Sequence, residues 1–168
     1  EQEGVGFYQV TQKDGRRCSS ARAYLQPARQ RPNLTVVTDA LASRIAFDGK
    51  RAVGVTYLAH DGQTVELEAR REVLLSGGAI NSPQLLLLSG VGPRAELERH
   101  GIPLVHDLPG VGQNLQDHLD VIVAHRDRRR ASYGFALSFL PRLFASVVEY
   151  LRHGRGFLTS NLAEAGGF

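Results

Sequence analysis

At 168 residues the chain suffices for one ordinary domain or parts of two, and 42% hydrophobic with 22% charged residues excludes a disordered polymer. A net charge of only +3, with its basic residues mostly scattered, excludes a nucleic-acid binder built on a basic face; the one dense run, Arg126-Asp127-Arg128-Arg129-Arg130, has no interleaved aromatics and reads as a solvated turn. A single cysteine, Cys18, excludes an internal disulfide and points to a reducing, cytoplasmic setting, while apolar runs such as Leu85–Leu88 are far too short for a transmembrane segment.

The chain opens on the acidic Glu1-Gln2-Glu3 with no apolar signal-like stretch, contains no methionine, and stops at Gly166-Gly167-Phe168, so it reads as an internal fragment. A short alternation around Phe7 and Val10 precedes a turn at Asp14-Gly15. Ser19-Ser20-Ala21-Arg22-Ala23-Tyr24-Leu25 then reads as a serine-capped helix start, with Pro27 near the far end. Leu34 to Phe47 is rich in β-branched residues and ends at Asp48-Gly49. Val53, Val55 and Tyr57 alternate up to Asp61-Gly62, after which Val65, Leu67 and Ala69 alternate with charged neighbours. Period-two patterning punctuated by Asp-Gly predicts a three-stranded antiparallel meander over about 34–70.

Val73-Leu74-Leu75 is continuously apolar, as a strand buried on both faces must be, and predicts a parallel strand over about 72–77 ending at Ser76-Gly77-Gly78. Asn81 or Ser82 is placed to cap a helix over about 82–89 that accepts Pro83 in its first turn and stops at Gly90. A second short helix, Arg94 to His100, leads to an edge strand, Ile102 to Leu108, interrupted by Pro103. Leu137, Leu140, Phe144, Val147, Val148 and Leu151 recur at helical spacing and predict an amphipathic helix around Pro141 to Arg152. Its apolar stripe reads as core-facing, because the cationic face of an interfacial membrane helix is sparse, although peripheral membrane association stays open.

Gly90-Val91-Gly92-Pro93-Arg94-Ala95 fits the dinucleotide pattern G-x-G-x-x-G/A, with Asp107 downstream where a ribose contact would fall. The helix available, Pro93 to His100, is about two turns, too short for a βαβ crossover, so the segment reads as a decoy. The histidines at 60, 100, 106, 125 and 153 show no metal-ligand spacing, and Cys18 has no partner for nucleophilic chemistry. His118, beside Asp117, and Glu164 both read as structural or solvated groups.

Gly78 to Gly92, GAINSPQLLLLSGVG, resembles the second signature of the glucose–methanol–choline (GMC) oxidoreductases: a leading glycine, a Ser-Pro pair, paired leucines and a closing Ser-Gly-Val-Gly. Residues 33–47 (NLTVVTDALASRIAF), Ala52-Val53-Gly54-Val55, Arg71-Glu72-Val73-Leu74-Leu75 and Gly101 to His118 (GIPLVHDLPGVGQNLQDH) resemble the family's stretches in the family's order. Gly156 to Ser160 and Glu164 to Phe168 do so faintly.

The resemblance implies an α/β fold, α+β in part. Residues 1–118 would form part of a Rossmann-like FAD-binding domain with the meander inserted, and 119–168 the beginning of a substrate-binding domain. It implies FAD as cofactor and hydride transfer from a small-molecule alcohol to the flavin, as in alcohol and choline dehydrogenases; which alcohol and which electron acceptor stay open. The cofactor-binding residues it implies are Ala42, Ser76, Gly77 and Gly78. Ala42 replaces the family's usual valine, whose backbone groups pair with the adenine edge, and a backbone contact survives that change. Gly77 replaces the usual alanine. Side-chain-poor residues at a strand's carboxyl end let the backbone approach a nucleotide. No residue here matches the family's catalytic histidine, and no pyrophosphate fingerprint precedes the meander, so the chain alone is expected to bind FAD poorly and turn over nothing. An FAD-containing lyase on the same scaffold and an inactive fragment are the alternatives.

Overall fold

The computed structural model describes residues 3–122, 137–161 and 163–167. Along the chain, β1 (Val5–Phe7) precedes a hairpin of β2 (Gln12–Lys13) and β3 (Arg16–Arg17). A π-helical turn (Ala21–Leu25) then runs into α1 (Gln26–Ala28). Next come β4 (Leu41–Asp48), β5 (Arg51–Leu58), β6 (Thr64–Glu68) and α2 (Gly78–Leu88). They are followed by β7 (Val91–Gly92), α3 (Arg94–Arg99), β8 (His106–Asp107), α4 (Leu140–His153) and β9 (Ala165–Gly167). These elements fall into two compact units, one of Val37–Val121 and the other of Glu1–Val36 with Ile122–Phe168.

In the first unit β4, β5 and β6 form the expected antiparallel meander, in sheet order β4-β5-β6. Both Asp-Gly signals mark its turns. Gly49 has φ +57°, the sign a two-residue hairpin loop demands between Asp48 and its partner Arg51. In the longer second turn Gly62 has φ +82° and the Asp61 carboxylate accepts from the Gln63 N–H at 3.0 Å. A Cβ at Gly54 would lie 2.4 Å from the Leu67 carbonyl oxygen, so a glycine permits the close approach of β5 and β6.

Several elements differ from their sequence expectations. The first strand pairs only from Leu41, not Leu34: Asp39 adopts φ +53°, which breaks the extended run before the ladder begins. Residues 72–76 form no strand, because none of the described segments offers them a ladder partner, and a strand exists only where its backbone groups are paired. The helix expected over about 82–89 begins at Gly78, so neither Asn81 nor Ser82 caps it; Pro83 sits within the helix and leaves the Ala79 carbonyl without its usual donor.

The remainder of the unit packs against the meander. Ile45 from β4, Val91 from β7, Leu97 from α3, and Val111 are its buried hydrophobic residues, with Ser89 buried among them. The edge strand expected over 102–108 shrinks to His106–Asp107, which runs parallel to β7. Leu74, Ile80, Leu115 and Leu119 are all well exposed.

In the second unit β1 pairs antiparallel with β9. The expected helix is α4, ended by Gly154 in the left-handed conformation at φ +62°. The tip of the β2–β3 hairpin rests on that C-terminus: a Cβ at Gly15 would fall 2.4 Å from the Gly154 carbonyl oxygen, and the Gln12 side chain donates to the Thr159 carbonyl. The rings of Phe139 and Phe157 meet edge-on with centroids 5.4 Å apart. The α4 stripe is not wholly core-facing: Val147 and Val148 are half-buried, whereas Leu140, Phe144 and Leu151 are exposed. The Arg126–Arg130 run lies outside the described residues.

Candidate cofactor site

The glycine corner stands at the amino end of α2. Ser76, Gly77 and Gly78 are all exposed, so the buried edge expected there is absent, for the same reason that its strand is absent. The corner itself is well defined. Gly77 flanks the helix at φ −78°, and its N–H donates to the Ser82 hydroxyl at 2.9 Å. Gly78 has φ +86°, a conformation open to glycine but costly to any residue with a Cβ. Nothing lies within 4 Å of where that Cβ would project. At Gly77 a Cβ would meet the Asn81 Cβ at 3.1 Å and the Ser82 nitrogen at 3.2 Å, so the alanine of the family pattern would need a few tenths of an ångström of adjustment here.

Ala42 sits on β4, an edge strand, opposite Tyr57. Hydrogen-bond parity shows which way its backbone points. The Val53 carbonyl accepts from Ala69 on the β6 side, and the Thr56 carbonyl accepts from the Ser43 hydroxyl on the β4 side. Backbone groups alternate sides along a strand, so from Val53 onward the odd-numbered residues of β5 address β6 and the even-numbered ones address β4. Ala42 and Ile45, opposite Tyr57 and Val55, therefore form non-hydrogen-bonded pairs and turn their N–H and C=O groups to the outer rim of β4. An uninterrupted strand would turn residues 41, 43 and 45 outward together. The bulge at Ser43 inserts the one extra residue that brings Ala42 to the rim instead.

Ile45 does not keep its rim N–H free. It donates to the Ser89 hydroxyl at 2.8 Å, and that hydroxyl donates to the Leu85 carbonyl at 2.6 Å. Ser89 is 1% exposed, so this is a buried bridge from the carboxyl end of α2 to β4. The sequence offered Ser82 as a helix cap and gave Ser89 no role, although both belong to the signature-like segment; a serine within a leucine-rich helix is the signal that marks them. No hydrogen bond joins Ala42 to Ser76–Gly78 among the described residues, but the two lie on elements linked through Ser89. A groove of ≈ 740 Å³ runs along α2 beside residues 110–116, lined by Ser82, Pro83, Leu86, Val111 and Leu115 among others.

The decoy segment is closed to a nucleotide. A Cβ at Gly90 would fall 2.3 Å from the Pro103 carbonyl oxygen, and one at Gly92 2.4 Å from the Leu87 side chain, so chain packing accounts for both glycines. Asp107 accepts from the Arg94 N–H at 3.1 Å, which caps α3 and turns its carboxylate away from any ribose role. His118 is exposed and Glu164 also lies at the surface. At Glu96 the hydrogen bond from Arg99 (2.6 Å), with help from His100, holds the carboxyl below the ordinary range. In this ion-pair cluster Glu96 is half-buried, while Arg99 and His100 are exposed.

The residues present suit the adenosine half of FAD better than its pyrophosphate. They offer an outward backbone edge at Ala42 and a side-chain-free corner at 77–78, and they bring no cation.

Residues 1–120 match the family model described as GMC oxidoreductase. The chain is 54% identical over 168 residues to an alcohol dehydrogenase [acceptor] of Pseudomonas putida, a match covering 99% of the chain and 30% of that protein. It is also 54% identical over 170 residues to an oxygen-dependent choline dehydrogenase of Pseudomonas putida strain F1, covering 100% of the chain and 30% of the relative. Among solved structures, a formate oxidase from Aspergillus oryzae superposes with a TM-score of 0.77 at 31% identity, covering 100% of this chain and 29% of that one. An FAD-dependent oxidoreductase from Chaetomium thermophilum gives 0.76 at 29% identity, with coverages of 93% and 28%. The chain thus spans about 30% of the length of the curated relatives it matches.

Proposed function

Because the chain belongs to the GMC oxidoreductase family, we propose that it serves within an FAD-dependent oxidoreductase acting on the CH–OH group of a small-molecule alcohol. The observation that carries this reading is the 54% identity, along 99% of the chain, to a protein named as an alcohol dehydrogenase. Bound FAD would supply the hydride acceptor.

The residues of this chain would bind and orient rather than exchange protons. Residues 1–118 contribute to the FAD-binding domain and 119–168 begin the substrate-binding domain; the family match over residues 1–120 supports that division. Ala42 presents its rim N–H and C=O to the adenine edge, and Ser76, Gly77 and Gly78 form the corner against which the adenosine lies. Open space beside Gly78 supports that role. The setting we assign is cytoplasmic, on the strength of the lone Cys18; no helix among the described residues is long and apolar enough to cross a membrane.

The test is anaerobic addition of a primary alcohol or choline to the full polypeptide that carries this chain, loaded with FAD. Flavin absorbance near 450 nm should bleach on the order of once per active site. A flavin that stays oxidised with every alcohol tried, in a protein that retains FAD, removes the oxidoreductase reading and favours a lyase.

A further inference from the structure

We propose that Ser89 is a positioning residue for the adenosine end of FAD, acting through β4 rather than by touching the cofactor. The inference rests on the reading of Ala42 and residues 76–78 as FAD contacts. β4 is an edge strand, and its outer rim carries the outward N–H groups of Ile45 and Ala42, with that of Phe47 beyond them. Ser89 takes the first at 2.8 Å and leaves the second open. Ala42 lies three residues before Ile45, about 10 Å along an extended strand, so the bridge holds the rim close to the proposed adenine contact.

The same helix holds the other contact. α2 is 11 residues long, about 16 Å, and Ser82 in its amino-terminal half accepts from the Gly77 N–H at 2.9 Å. One rigid element therefore carries a serine toward each half of the site. Its two hydroxyls fix where the rim and the corner stand relative to α2. The Ser89 anchor is the stiffer: it is buried and its hydroxyl both accepts and donates a hydrogen bond. Removing it leaves the Ile45 N–H without a partner and lets β4 shift against the helix, which misplaces Ala42 without altering any atom that meets FAD.

The experiment compares FAD affinity and thermal stability in the full polypeptide, by reconstituting apoprotein and following flavin fluorescence at a temperature where every variant is folded. Ser89→Ala and the isosteric Ser89→Cys should each raise the FAD Kd by about tenfold, the loss expected for one misplaced hydrogen bond. Leu97→Ala, equally buried in the same unit, should lower Tm and leave the Kd within about twofold. Ala42→Pro deletes the rim N–H without breaking the ladder and tests the underlying contact; it too should raise the Kd. If Ala42→Pro weakens FAD binding but both Ser89 variants only lower Tm, the positioning role is wrong and the site reading stands. If Ala42→Pro leaves the Kd unchanged, the site reading fails and takes the Ser89 proposal with it.

Discussion

Single residues here carry consequences that substitutions can measure. Gly78 holds φ +86° in open space, so Gly78→Ala meets no clash yet should cost about 1–2 kcal/mol from backbone strain alone, read as a shift in the denaturant midpoint. Ser89→Ala should destabilise by about 1–3 kcal/mol, since it strands a buried N–H, whereas Ser82→Ala, at an exposed bond, should cost less. The Glu96 carboxyl is held below its ordinary pKa, chiefly by the Arg99 hydrogen bond. A depressed acid contributes stability that is complete above the unfolded value of about 4.3 and disappears as pH falls through the folded value. Glu96→Gln should therefore lower Tm slightly at neutral pH and not at all in strong acid, and solvent and salt will keep the difference small. A Tm gap that instead widened toward low pH would contradict the sign of that coupling.

Among the elements, the meander was the most legible in sequence, because Asp48-Gly49 and Asp61-Gly62 supply the positive φ its turns need, and alternation sets its faces. The bulge at Ser43 was not legible. Nothing in Leu41-Ala42-Ser43-Arg44 distinguishes it from a regular strand, and it exists only through the register with β5. Deleting Ser43 should restore a regular ladder and leave Ala42 opposite Tyr57, with its N–H and C=O still at the rim. The measurement is FAD affinity of the full polypeptide, which should be retained while the fold persists by circular dichroism; a large loss would mean that the bulge itself, and not the rim orientation of Ala42, serves the site. Helix α2 shows the converse error. Asn81, Ser82 and Pro83 look like a start signal, yet the chain begins its helix at Gly78, and Ser82 is spent on the Gly77 N–H instead.

Across the whole chain, the described hydrophobic core is small, while Leu74 at 78% and Phe144 at 72% exposure leave much apolar surface in water. The 168-residue chain by itself should bind a hydrophobic dye and self-associate, and FAD should stabilise it little; a monodisperse, dye-silent protein would contradict this. The sequence by itself determined the family, through a signature-like segment dense in small residues, and determined the meander and α4, whose signals are local in spacing and turn chemistry. The tertiary structure alone decided that Asp107 caps a helix, that Gly90 and Gly92 serve packing, and that Ser89 ties α2 to β4. It alone decided, too, that residues 72–76 form no strand within this chain. Local patterns encode what a segment can adopt; which partner its backbone and hydroxyl groups find depends on residues tens of positions away, and no local pattern carries that.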